Sequence, residues 1–130
     1  MTGGAGRQPT RRGRLRALLV EDEPLIALMI EDMLEDIGVE VARWAATLSD
    51  ALAAAEEADI DVALLDINLK GEQSFPAAET LRKRGKPFLF VTGYGALGMH
   101  GTDFDTIVLQ KPFTADDLRA ALARIVPDFA

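Results

Sequence analysis

The chain contains no cysteine, which excludes disulfides, thiolate zinc sites and a cysteine nucleophile together. Histidine is almost as scarce: His100 is the single example, set in a glycine-rich stretch, and is expected to be a solvated surface residue, neither a phosphoryl donor nor a metal ligand. Aromatic residues make up 6% of the 130 positions. Trp44 and the phenylalanines are expected in or against the core, because no basic residues interleave with them as a stacking platform for single-stranded nucleic acid would need. Long apolar runs are missing as well: none approaches the roughly 20 residues that a membrane-crossing helix requires. The opening MTGGAGRQPTRRGR is polar and Arg-rich, without the apolar centre of a secretion signal, so the expected location is cytoplasmic. Beyond its start the chain is short of positive charge. Residues 1–16 carry five Arg and no acid, which leaves nine basic against 21 acidic residues, a net charge near −12. A body of that sign repels nucleic acid, so direct DNA binding is not expected. Residues 1–13 read as a flexible basic extension.

What remains is ordinary globular material, with 48% hydrophobic and 27% charged residues, enough for one compact domain with a real core over residues 14–130. Short apolar runs alternate with stretches of helical period: LRALLV at 15–20, then 24–37; EVARWA at 40–45, then 48–58; DVALLD at 61–66, then 76–84; PFLFVT at 87–92; and TIVLQ at 106–110, then 114–126. Alternation of this kind, with strands apolar almost throughout, predicts a parallel sheet covered by helices on both faces and joined by right-handed crossovers. Gly38 and Gly85 mark helix ends, Thr47 with Asp50 has the form of a capping box, and Thr114 is suited to cap the last helix. The first helix shows an inward stripe of Ile26, Met29, Ile30 and Met33, with Leu25 and Leu28 on a neighbouring face. Between the fourth and fifth strands, GYGALGMHGTDFD has four glycines, so any helix there is expected to be short.

Against that background LLVEDEPLI, residues 18–26, is unexpected. Glu21, Asp22 and Glu23 stand side by side after an apolar run, and two carboxylates about 4 Å apart repel by roughly 4 kcal/mol at an effective dielectric of about 20. One explanation is local: Asp22 or Glu23 followed by Pro24 reads as a helix start, with an acidic N-cap and proline at the first helical position. The other is chemical. In open α/β sheets ligands bind beyond the carboxyl ends of the strands, and at those ends lie Glu21 and Asp22, Asp66, Thr92, and Gln110, Lys111 and Pro112. A hard divalent cation with oxygen ligands, Mg²⁺ above all, would relieve the repulsion. It would bind Asp22, Asp66 and a nearby backbone carbonyl, with Glu21 holding a coordinated water. Phosphoryl transfer needs positioning and charge neutralisation, which the cation, Lys111 and the Thr92 hydroxyl would provide around an Asp66 nucleophile.

The acidic pair in VEDEP, Asp66 in LLDINL, Thr92 in FVTGYG and Lys111 in QKPF, at spacings of 44, 26 and 19 residues, resemble the receiver domains of bacterial two-component response regulators. The resemblance covers residues 14–126. It implies a flavodoxin-like, doubly wound sheet of five parallel strands in the order 2-1-3-4-5. It also implies that Asp66 accepts a phosphoryl group from a kinase histidine, that Asp22 and the Asn68 carbonyl are metal ligands, and that Glu21 acts through water. By the same resemblance Lys111 pairs with the phosphorylated Asp66, Thr92 bonds a phosphoryl oxygen, and the Lys111–Pro112 bond is cis.

Two positions depart from the family pattern. Receivers usually carry an aromatic three residues before the lysine, where this chain has Val108, and a proline where it has Lys70. PFLFVTGYG resembles the stand-alone receivers called FAT GUY, in which Tyr94 sits near the site; this implies a sensor kinase of the HWE histidine-kinase type. With the last helix ending near the C-terminus, output is expected by contact with a downstream signalling protein, and Leu25, Leu28 and Pro112 are the candidate docking residues. Two other functions have signatures that can be checked in the sequence. A metal-dependent phosphatase of the haloacid dehalogenase kind would want a second Asp two residues after the nucleophile, where Asn68 stands, so the chain is not expected to be an enzyme. A phosphorylation-independent binding module of the same fold would be expected to have lost site residues, and all are present.

Overall fold

The computed structural model describes residues 14–93, 104, 106–127 and 129. Five strands form one parallel sheet: β1 (Leu15–Val20), β2 (Val39–Ala45), β3 (Val62–Asp66), β6 (Phe88–Thr92) and β7 (Val108–Gln110), in the order β2-β1-β3-β6-β7. A small antiparallel hairpin, β4 (Asn68–Leu69) with β5 (Glu72–Gln73), interrupts the path from β3 to the next helix. The helices are α1 (Pro24–Asp36), α2 (Leu48–Glu57), α3 (Phe75–Lys83) and α4 (Ala115–Ile125). The order expected by resemblance is observed once the hairpin is set aside, and the Lys111–Pro112 bond is cis.

Alternation along the buried strands sends neighbouring residues to opposite faces. Ala17, Leu19, Val62, Leu64, Leu89 and Val91 pack with α1 and α4. Leu18, Val20, Ala63, Leu65, Phe88 and Phe90 pack with α2 and α3. The second layer is thin where the helices meet the sheet, because they present Ala51, Ala54, Ala55, Ala77 and Ala78, all fully buried. Its bulk is aromatic: Phe75, Phe88, Phe90 and Phe104 pack with ring centroids 5.4–5.8 Å apart. Val108 joins this layer, paired across the sheet with Phe90.

Gly38 and Gly85 follow their helices with φ of +85° and +72°, the left-handed geometry that ends a helix at little cost to glycine. Thr114 accepts from the Asp117 amide and Asp117 returns the bond to Thr114, a complete capping box.

Four expectations are corrected. Thr47 accepts from the Asp50 amide at 3.1 Å, but the structure has no return bond, so α2 carries half of the predicted box. Glu23 occupies the N-cap of α1 with Pro24 opening the helix, as expected, but its carboxylate makes no cap bond; its own N–H donates to Glu21 Oε2 at 3.2 Å. Met29 is not on the inward stripe but 55% exposed, because the stripe runs through Ala27, Ile30 and Leu34. Trp44 is 46% exposed, not part of the core. The expectations for residues 1–13, for a short helix within the GYGALGMHGTDFD stretch, and for Tyr94 and His100 concern positions outside the described residues.

Candidate phosphoacceptor site

Parallel strands all point their carboxyl ends the same way, so the residues that end β1, β3, β6 and β7 share one rim of the sheet. Register sets their depth: Val20 lies opposite Leu65, Asp66 opposite Val91, and Thr92 opposite Gln110. Glu21 and Asp22 thus emerge from β1 beside Asp66 at the end of β3. Lys111, one step past β7, is tied by its amide to the Thr92 carbonyl at 2.8 Å.

Glu21, Asp22 and Asp66 each offer a carboxylate oxygen within 4.8 Å of the other two. Glu21 and Asp66 are buried, as is Thr92, while Asp22 is half-buried. Lys111 Nζ reaches into the cluster, 3.0 Å from Glu21 Oε1 and 3.4 Å from Asp66 Oδ2. The lysine stands nearer to Glu21 than to Asp66.

Burial dominates the electrostatics. It pushes the Glu21 carboxyl from its ordinary 4.5 up to about 7, helped by the charge of Asp66 and opposed by the Lys111 bond and the Glu23 amide. It also raises Asp66, against the Lys111 charge and a hydrogen bond from the Asn68 backbone amide, with Asp22 pushing the same way as burial. Burial would lower Lys111, but its bond to Glu21 and the charges of Asp66 and Glu21 outweigh that and raise it. The Lys111 ammonium thus pairs with two of the three clustered carboxylates, Glu21 and Asp66. The donor set is all oxygen and anionic, so it fits a hard divalent cation such as Mg²⁺, to which Glu21, Asp22 and Asp66 each offer a carboxylate oxygen.

The sequence-predicted residues Glu21, Asp22, Asp66, Thr92 and Lys111 are brought to one rim. Asn68 joins them through its main chain, and its side-chain oxygen accepts from the Gly71 amide at 2.8 Å, bracing the β4–β5 turn. That turn carries Lys70 at φ +52° and Gly71 at φ +92°. Val108 lies lower, in the aromatic layer. Leu25 and Leu28 are exposed at 75% and 56%, and Pro112 is exposed beside Lys111. Sequence reasoning missed one residue here: the Trp44 indole N–H donates to the Glu21 carbonyl at 2.8 Å.

Comparison with known proteins adds to this geometry. The family model described as the response regulator receiver domain matches residues 17–123. The chain is 34% identical over 129 residues to the transcriptional regulatory protein TcrA of Mycobacterium tuberculosis, covering 92% of this chain and 49% of TcrA. Among solved structures it is similar to SdrG from Sphingomonas melonis Fr1, with 46% identity and a TM-score of 0.75 over 84% of this chain and 93% of that one. It is also similar to the anti-anti-sigma factor PhyR from Bartonella quintana, at 27% identity and a TM-score of 0.73, covering 86% of this chain and 47% of PhyR. The chain spans about half the length of the first of these curated relatives.

Proposed function

The chain belongs to the response regulator receiver domains, and on that premise we propose that Asp66 accepts a phosphoryl group from a sensor histidine kinase in a Mg²⁺-dependent reaction. The observation that carries this reading is the convergence of three carboxylates and one lysine at the strand ends, with Lys111 Nζ 3.0 Å from Glu21 and 3.4 Å from Asp66. An Asp66 oxygen attacks phosphorus as the P–N bond to the kinase histidine breaks; the electron pair leaves with the imidazole and an acyl phosphate forms. Bound Mg²⁺ would neutralise charge on the transferring group. Asp22, Asp66 and the Asn68 carbonyl would hold it, with Glu21 acting through a water. Lys111 exchanges its contact with Glu21 for one with a phosphoryl oxygen, and the Thr92 hydroxyl donates to another. The Glu23 amide keeps Glu21 in place while this happens.

Signalling then proceeds by contact with a downstream protein, in the cytoplasm. Likeness to SdrG over nearly the whole of that chain supports the single-domain reading, and likeness to a PhyR described as an anti-anti-sigma factor supports a protein partner over DNA. Among the described residues no helix is long and apolar enough to cross a membrane. Exposed Leu25 and Leu28, with Pro112, form the kinase-facing surface, and the kinase is of the HWE type, as the FAT GUY resemblance implies.

Incubation with Mg²⁺ and a small acyl phosphate tests the acceptor by intact mass. One added phosphate is expected, absent in Asp66→Asn and absent with a chelator. Labelling that survives Asp66→Asn would move the acceptor elsewhere, and no labelling of the native protein would leave a phosphorylation-independent binding module.

A further inference from the structure

We propose that Trp44 is a positioning residue for the cation site, holding the peptide unit between Glu21 and Asp22 so that Asp22 faces the other two carboxylates; this rests on the Mg²⁺ reading above. The end of β2 grips that stretch twice. Glu21 donates its amide to the Ala45 carbonyl at 3.0 Å, and the Trp44 indole donates to the Glu21 carbonyl at 2.8 Å. The peptide is planar, so fixing the Glu21 carbonyl also fixes the plane that carries the Asp22 nitrogen. Asp22 needs this more than its neighbours do. Glu21 is held by Lys111 and by the Glu23 amide, and Asp66 by Lys111 and the Asn68 amide.

A β-bulge aims the indole. Ala17 of β1 pairs with Val41 but Leu18 pairs with Arg43, so Ala42 is an extra residue in β2. In an unbroken strand Trp44 would share a face with Ala42, on the α2 side. The extra residue reverses the alternation beyond it: Trp44 pairs with Leu19, which belongs to the α1 and α4 layer, while Ala42 and Ala45 both pack in the α2 and α3 layer. Re-aiming a side chain near a functional site is a recognised consequence of bulges. It also accounts for a large ring left 46% exposed, since its polar tip has a partner only at the rim.

Trp44 is the sole tryptophan, so its emission reports on this contact. The experiment titrates MgCl₂ into the native protein, Trp44→Phe and Asp22→Asn, following metal uptake by calorimetry, emission where Trp44 remains, and melting in a chelator. A saturable emission change in the native protein, lost in Asp22→Asn, is expected. Trp44→Phe, which keeps a ring but no donor, is expected to bind Mg²⁺ at least about tenfold more weakly at temperatures well below its melting point. A merely structural role would lower the melting temperature and leave affinity unchanged, which would overturn the proposal. Should Trp44→Phe fail to fold, the native emission decides: no change despite calorimetric uptake overturns the proposal. No Mg²⁺ uptake by the native protein would instead overturn the reading on which it rests.

Discussion

Glu21 has each of its polar groups engaged: the amide with Ala45, the carbonyl with Trp44, and the two carboxylate oxygens with Lys111 and the Glu23 amide. A carboxylate so occupied suits indirect contact with a cation; in the proposed site the direct contacts fall to Asp22 and to Asp66, whose bond to Lys111 at 3.4 Å is longer than that of Glu21 at 3.0 Å. Ser74 is the opposite case, a fully buried hydroxyl whose oxygen has no hydrogen-bond partner although it sits at the N-cap of α3. Its backbone carries the local structure, with the amide donating to Ile67 and the carbonyl accepting from Ala77 and Ala78. Replacing it by alanine removes an unpaired buried polar atom and is expected to stabilise the fold by about 1 kcal/mol, read from urea denaturation; a loss of similar size would mean that the hydroxyl has a partner in solution. At this scale Asp22, Asp66, Thr92 and Lys111 were legible because each ends an apolar run, where a charge or hydroxyl has no reason to sit unless it is used. Trp44 was not, because its direction depends on a bulge set by pairing with β1.

Helices and strands were legible where periodicity is strong, and their boundaries differ from expectation by a residue or two. The β4–β5 hairpin was not. Two-residue strands carry too little pattern, and Lys70 is a poor signal for a turn that places it at φ +52° before Gly71 at φ +92°. Two successive positive φ values match the two-residue hairpin turn that favours Asn-Gly. Lys70→Asn is therefore expected to raise stability by about 1 kcal/mol, since the left-handed conformation costs roughly that for an ordinary residue, with phosphoryl acceptance unchanged in the mass assay. A destabilised variant would show that the Lys70 side chain contributes more than its backbone costs. The alanine faces of α2 and α3 were equally hard to read, since Ala51, Ala54 and Ala78 are core by position and not by size.

For the molecule as a whole, the rim makes stability depend on pH and on cations. The Glu21 carboxyl lies near 7 in the folded chain against an ordinary 4.5. Between those values the folded chain keeps a proton that the unfolded chain has released. The stabilisation is therefore complete below about pH 4.5 and fades as pH rises through about 7. Asp66, also raised, acts in the same direction. In a chelator, the native protein is expected to lose on the order of 2 kcal/mol more than Glu21→Gln between pH 5 and pH 8 in urea denaturation. Mg²⁺ should restore stability at pH 8 and have less effect at pH 5, where burial favours the protonated forms of Glu21 and Asp66 and the rim carries less negative charge; parallel pH profiles for the two proteins would refute the coupling. The sequence by itself determined the βα alternation, the parallel sheet covered on both faces and the residues at the strand ends, because apolar periodicity and acids beside apolar runs are local signals. Only the tertiary structure decided that Lys111 stands nearer to Glu21 than to Asp66, that Glu21 titrates near neutrality and that Trp44 turns to the rim. Distance, burial and strand register arise from residues far apart in the chain.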